Sequence, residues 1–264
     1  MDNTYWQQQQ TNQALFDDLL WSKPEQKSAA GKLAIIGGNI HGFNSVSAIY
    51  NAAIKSGIGT VRTLLPDSLS KTVRKIWPEC EFGPSTKSGS FSTKALDEWL
   101  AMSQWADGTI ISGDIGHNSE TTILLEKFID LNKQQLTLVG DSVSVLTATP
   151  INLLENEHIL LVVDLSQLQK LLIAIRYPTA VKSTMTIYQI TELLHSLTFG
   201  YSCAIGLMFE QYILLSINGQ VSSTPITKAI TVLDLAAVGS VWRLQQPAKA
   251  YESITTGIYD LLTK

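Results

Sequence analysis

The chain has 264 residues, 45% hydrophobic and 16% charged, with a formal net charge of −4. With a pI near 5.6 and its Lys and Arg scattered singly, it lacks the basic stripe that nucleic acid requires. No apolar run reaches membrane-spanning length, and the start, MDNTYWQQQQ, has no apolar core of a secretory signal, so a cytoplasmic protein is expected.

Residues 1–29 read as a polar, Gln-rich extension and residues 30–264 as a single α/β domain. In the extension, Gln7 to Gln10 is expected to be mobile. Phe16 to Trp21 is expected to form a short helix or turn pinned to the body by its aromatics.

Leu33 to Ile36 is an unbroken apolar run, the pattern of a parallel strand buried on both faces. Gly37-Gly38-Asn39 breaks it, and His41-Gly42-Phe43-Asn44 continues an irregular turn. From Ser45, Val46, Ile49, Ala53 and Ile54 recur at helical spacing, with Asn44 or Ser45 as cap and Gly57 closing the helix. Thr60 to Leu65 is the next strand, and the whole is one βαβ unit. Its turn lies at the carboxyl end of the first strand, where open α/β sheets bind ligands. Gly37 and Gly38 would let a ligand approach the backbone, and free N–H groups at the helix start would favour an anion. Asn39, His41 and Asn44 would hydrogen-bond a polar group, unless the turn is only a tight connection. It is not a GxGxxG loop, and no acidic residue ends the second strand to hold a ribose, so a plain dinucleotide fingerprint is excluded.

Further on, Leu69 to Ile76 and Thr93 to Met102 read as helices, with Pro78 to Ser90 an irregular polar excursion. Asp107 to Ser112 is a strand that runs into a second glycine-bearing turn, Gly113-Asp114-Ile115-Gly116-His117-Asn118. Glu120 to Leu131 is a helix with Ile123, Leu124, Phe128 and Leu131 inward, and Leu136 to Val139 a strand ending in Gly140-Asp141. Helix formation between Ser144 and Leu154 is limited by Pro150. Ile159 to Val163 is the next strand, followed by helices at Ser166–Ile173 and Thr186–Phe199. Cys203–Met208 and Tyr212–Ile217 are strands, and Asn218-Gly219 is a hairpin turn. Asp234–Trp242 and Tyr251–Leu262 close the chain as helices. The sum is a three-layer α/β/α domain with a mostly parallel sheet and a late hairpin.

Asp114, Asp141 and, more weakly, Asp164 follow strands, where both site residues and helix caps lie. His117 reads as a solvent-facing turn residue, and His158 and His195 as surface residues. Cys80 and Cys203 form no ligand motif, and histidines and carboxylates show no metal spacing.

With these segments in place, the chain resembles the ADP- or ATP-dependent NAD(P)H-hydrate dehydratases of the ribokinase-like superfamily, over roughly Lys27 to Tyr259. Lys27 with Gly31 echoes the family's His-Lys-Gly-x-x-Gly, Gly37-Gly38-Asn39 its Gly-Gly-Ser turn, and Ala52 to Gly59 its Ala-Leu-Arg-x-Gly-Ala-Gly segment. Later motifs keep position and lose chemistry. Ser112-Gly113-Asp114-Ile115-Gly116 stands for Gly-Pro-Gly-Leu-Gly, and Asp141 alone survives of Asp-Ala-Asp-Ala-Leu. Ala204-Ile205-Gly206 lacks the lysine of Leu-Lys-Gly. The catalytic Gly-Thr-Gly-Asp falls on Thr231-Val232-Leu233-Asp234, so the resemblance makes Asp234 the candidate base. Its β-branched neighbours cannot easily wrap amides around a phosphate.

The resemblance implies ATP or ADP with Mg²⁺ as cofactor, a role in metabolite repair and a homo-oligomeric assembly. The degenerate motifs point to a pseudoenzyme. The reading is a divergent member that binds a nucleotide or nicotinamide-dinucleotide-type ligand with weak, altered or no turnover. Its ligand-binding residues are Gly37, Gly38, Asn39, His41, Gly42, Asn44, Gly113, Asp114, Gly116 and Asp141. One alternative is a non-catalytic scaffold using Trp99, Trp105, Trp242 and Tyr251 as an oligomer face; another is a small-molecule kinase with Asp234 as base.

Overall fold

Ten strands form one sheet in the computed structural model, which describes residues 4–145 and 153–263. They are β1 (Trp6–Gln8), β2 (Lys32–Ile36), β3 (Thr60–Pro66), β4 (Glu81–Gly83), β5 (Gly108–Ile111), β6 (Gln135–Val139), β7 (Ile159–Asp164), β8 (Ala204–Phe209), β9 (Tyr212–Ile217) and β10 (Gln220–Pro225). Their spatial order is β1-β10-β9-β8-β7-β6-β5-β2-β3-β4. Among the described residues only β9 runs against its neighbours, and the other strands point one way. The chain steps from β2 outward to β3 and β4, then returns to the other side of β2 as β5. The switch point of the sheet is therefore between β2 and β5.

The helices are α1 (Asn44–Lys55), α2 (Ser70–Val73), α3 (Leu96–Trp105), α4 (Ser119–Leu131), α5 (Asp141–Val145), α6 (Leu165–Ala174), α7 (Ile187–Gly200), α8 (Val232–Gln245) and α9 (Ala250–Thr263). Strand β2 shows how they divide. Leu33, Ala34, Ile35 and Ile36 are all 0% exposed, so the missing alternation in the sequence marks burial on both faces. Ala34 and Ile36 join Trp99, Leu124, Phe128, Leu168 and Leu194 in one core. Leu33 and Ile35 join Val46, Ile49, Ala236, Val241 and Ile258 in the other. Hence α3, α4, α6 and α7 cover one face and α1, α8 and α9 the other. Helix α8 is buried without a break from Leu235 to Trp242, as a helix packed between two neighbours and a sheet must be. Among the described residues no helix is long and apolar enough to cross a membrane.

Several expectations need correction. Gln7 and Gln8 lie in a strand: β1 extends the sheet in parallel with β10, with Trp6 opposite Val221 and Gln8 opposite Ser223. Gln9 is 3% exposed; its N–H donates to the Ser223 carbonyl at 2.8 Å and its side-chain oxygen accepts from Leu15 N–H at 3.1 Å. A polar run suits a sheet edge, where the backbone supplies the bonds and the side chains need not enter a core. Phe16 does pack edge-on against Tyr251, at 6.0 Å, ahead of a short 3-10 turn at Asp17–Trp21, but Trp21 is 89% exposed and Leu19 is the buried anchor. In α4 the inward residues are Leu124, Leu125, Phe128 and Ile129, while Ile123 and Leu131 face out. The helix expected at Leu69–Ile76 is a single α turn after a 3-10 turn, and the polar excursion contains β4. The Asn218-Gly219 turn is present, both residues at positive φ, and β10 follows it. Pro150 lies outside the described residues.

The aromatic oligomer face is also lost. Trp99 is fully buried, with Phe91 and Phe128 edge-on to its ring at 5.1 and 5.4 Å, and Trp242 is 1% exposed. Trp105 and Tyr251 are half-buried.

The free thiols are buried, and burial pushes Cys80 up to about 11 and Cys203 up to about 12. Neither should react with Ellman's reagent in the native protein at about pH 8, and both should react in denaturant. Trp6→Ala removes a half-buried ring and the bond from its indole N–H to Ser223 Oγ, 2.9 Å long. It should lower stability by about 2 kcal/mol in urea denaturation, whereas an undocked extension would show no change.

Candidate functional site

The turns after β2, β5 and β6 meet at the carboxyl edge of the sheet. Strand β5 pairs with both β2 and β6, so adjacency alone brings Gly37, Gly113 and Gly140 together. Two of these glycines are there because the strands leave no room. A Cβ on Gly37 would stand 1.9 Å from Ser112 Oγ, and one on Gly140, at φ +68°, 3.1 Å from the Gly113 Cα. The third turn therefore packs on the backbone of the second, and the first on the Ser112 side chain.

The first turn is held by its own groups. Asn39 and Gly42 exchange backbone hydrogen bonds of 3.0 and 2.9 Å, and Asn39 Oδ1 accepts from His41 N–H at 2.8 Å. Asn39 Nδ2 reaches across to donate to the Asp114 carbonyl at 2.6 Å. His41 and Asn44 are exposed on the rim. Gly116, at φ +81°, packs directly over Ser90, and Gly38 at φ +84° lies beside Phe43 and Leu65.

The expected cap of α1 is different in kind. Phe43 holds the cap position without a side-chain bond, and neither Asn44 nor Ser45 caps the helix. Instead Asp114, from the turn after β5, presents its carboxylate to the helix start. Its Oδ2 accepts from Ser45 N–H at 3.1 Å and from Ser45 Oγ–H at 2.6 Å. Asp114 has φ +64°, a conformation Asp tolerates better than most residues, and it aims this carboxylate. The amide expected to attract a ligand's anion is thus met by an anion of the chain itself.

Asp141 lies beside His117, Oδ1 to Nε2 at 3.6 Å, both substantially exposed, so this pair contributes little to stability. Asp164 caps α6, accepting from Gln167 N–H at 2.8 Å, while Gln167 Oε1 accepts from Asp164 N–H at 3.1 Å. The Gln167 amide also donates to the Gly140 carbonyl at 2.9 Å, which ties β7 to the third turn. Ser45 was expected only as a helix cap, and Gln167 was not singled out from the sequence. The Asp-x-x-Gln spacing of a capping box was the available sign for Gln167.

Asp234 is not brought into this cluster. At the start of α8, Thr231 and Asp234 form a reciprocal capping box. Asp234 Oδ2 accepts from Thr231 N–H at 2.9 Å and Thr231 Oγ–H at 2.8 Å, and Thr231 Oγ accepts from Asp234 N–H at 3.3 Å. Asp234 lines a groove on the outer side of α8 that includes none of the turn residues. Among the described residues no three His, Cys, Asp or Glu side chains are grouped to hold a metal ion. The backbone of Asn39 and Gly42, the Asn39 amide and the Ser45 N–H are bonded within the chain, and among the described residues the turns bring no cluster of cations together for a polyphosphate.

Solved structures place the fold. A ribokinase-like superfamily protein from Enterococcus faecalis superposes with a TM-score of 0.71 at 16% identity, over 96% of this chain and 85% of that one. A hypothetical protein from Streptococcus mutans gives 0.65 at 16% identity, over 92% and 87%. The ADP/ATP-dependent NAD(P)H-hydrate dehydratase from Bacillus subtilis, co-crystallised with ATP and Mg²⁺, gives 0.61 at 10% identity, over 89% and 79%. The chain has the ribokinase-like α/β fold. No protein-family model matches the sequence, and no curated protein does.

Asp114→Ala leaves the first turn of α1 without its acceptor and should lower stability by about 1 kcal/mol in urea denaturation. Asp114→Asn keeps an acceptor and tolerates positive φ, so its loss should be smaller.

Proposed function

We propose that the carboxyl-edge crevice binds a nucleotide or nicotinamide-dinucleotide-type ligand, by its base or nicotinamide end, without transferring a phosphoryl group. The binding half is supported by the fold and by the place of the glycine turns at the switch point between β2 and β5, where sheets of this kind take ligands. Flat ring edges can pair with exposed His41 and Asn44 on the rim and with the remaining amide hydrogen of Asn39.

The observation that carries the second half is the Thr231–Asp234 capping box. Phosphoryl transfer depends on donors held ready for the moving charge, and loss of one such donor costs about 100- to 1000-fold in rate. At α8 the Thr231 and Asp234 amides are occupied within the chain, and the Asp234 carboxylate lies over the helix start. At α1 the Asp114 carboxylate does the same. The residues present therefore do not fit a transferring ATP–Mg²⁺, and no step is routed through it. Asp234, occupied by two donors from Thr231, is read as a cap and not a base.

Calorimetry with NADH, hydrated NADH, ADP and ATP with Mg²⁺ tests both halves. Dinucleotides should bind below about 1 mM, the upper end of ordinary enzyme affinities, and ATP–Mg²⁺ more weakly. Hydrated NADH should not be repaired above background with ATP or ADP, and Asp234→Asn should leave that background unchanged. Binding by none of them would overturn the ligand, and brisk ATP-driven repair would overturn the inactivity. The triple change T231G, V232T and L233G rebuilds the amide cradle and should tighten ATP binding.

A further inference from the structure

The outer side of α8 carries a groove that the crevice reading does not use. Asp234, Val238 and Trp242 follow each other at intervals of four and so share one face of the helix. Ala52 and Lys55 of α1 form one wall, Asp260 and Leu261 of α9 the other, and residues 228–230 the end. The space is about 430 Å³, within the range of small-molecule sites.

Its charges are unequal. Asp260 is paired with Lys23 at 2.7 Å, and the Asp234 carboxylate is bound to Thr231. Lys55 and Lys228 both line the groove, and neither has an ion-pair partner among the described residues. The neutral Thr231 donors leave the Asp234 charge in place, so Lys23, Lys55 and Lys228 outnumber the carboxylates of Asp234 and Asp260 by one. At one end of the groove lies Trp242, 1% exposed, with Lys23 Nζ 4.7 Å from the centre of its ring. Its indole N–H makes no hydrogen bond to a described residue and, unlike the equally unpaired one of Trp99, is not sealed in the core. Val238 and Leu261 supply apolar wall between these polar points.

We infer that this groove is a second binding site, for a small organic anion with an apolar body. Its carboxylate or phosphate monoester meets Lys55 and Lys228, its body covers Val238, and an acceptor atom takes the Trp242 N–H. The site is separate from the carboxyl-edge crevice and stands or falls independently of it.

The test is an ¹H–¹⁵N spectrum of the full chain, with the Trp242 indole resonance assigned by its loss in Trp242→Phe. The probes are 1-naphthoate, 1-naphthyl phosphate and the neutral 1-naphthalenemethanol. The two anions should shift that resonance in a saturable way, and the relative strength of the two tells carboxylate from phosphate chemistry. The neutral probe should bind at least about tenfold more weakly, and the double variant K55A/K228A, both exposed positions, should weaken the anions by about tenfold. An unmoved indole resonance, equal binding of the neutral probe, or an unaffected double variant would each overturn the site.

Discussion

Helices that begin at the carboxyl edge of a parallel sheet leave amide groups without partners inside the helix, and what meets those amides decides what the edge can do. At α1 the partner is the Asp114 carboxylate; at α8 the Thr231 hydroxyl takes the Asp234 amide while the Asp234 carboxylate takes that of Thr231. Asp114 crosses from the turn after β5 to the start of α1, and Asp234 folds back on the start of α8. Each contact is worth about 1 kcal/mol as a cap, a modest gain for stability. Its larger consequence is electrostatic, since a carboxylate on a helix start opposes the phosphate that would otherwise sit there.

The packing of α8 fits the same account. Its buried run from Leu235 to Trp242 sits between α1, α9 and the middle strands, so the helix start cannot shift without moving a core that includes Val241 and Ile258. On the proposed reading, a self-capped helix start suits a protein that holds a ligand. It is poorly suited to gathering charge around a transferring group, which needs donors aimed and unoccupied.

Much of the fold was legible because burial writes directly into sequence. The unalternating runs at Leu33–Ile36 and Ile159–Val163, the Asn-Gly hairpin and the apolar spacing of α7 each correspond to an element. Strand β1 was not legible, because an edge strand bonded through its backbone imposes no apolar pattern on Trp6-Gln7-Gln8. The glycine turns were placed correctly in sequence, but their meeting depends on strand order, which local pattern does not contain. The Asp114 cap was hidden for the same reason, its partner Ser45 lying on another βα unit. The Thr231–Asp234 box has a sequence sign, Thr-x-x-Asp before an apolar run, but that stretch was read only as a degenerate Gly-Thr-Gly-Asp motif.

The central claim is that the start of α8 is closed to phosphate. Backbone amide shifts of Val232, Leu233 and Asp234, followed while ATP with Mg²⁺ is added to the full chain, test it most directly. The account predicts that these amides stay where they are; large, saturable shifts converging on the three of them would contradict it.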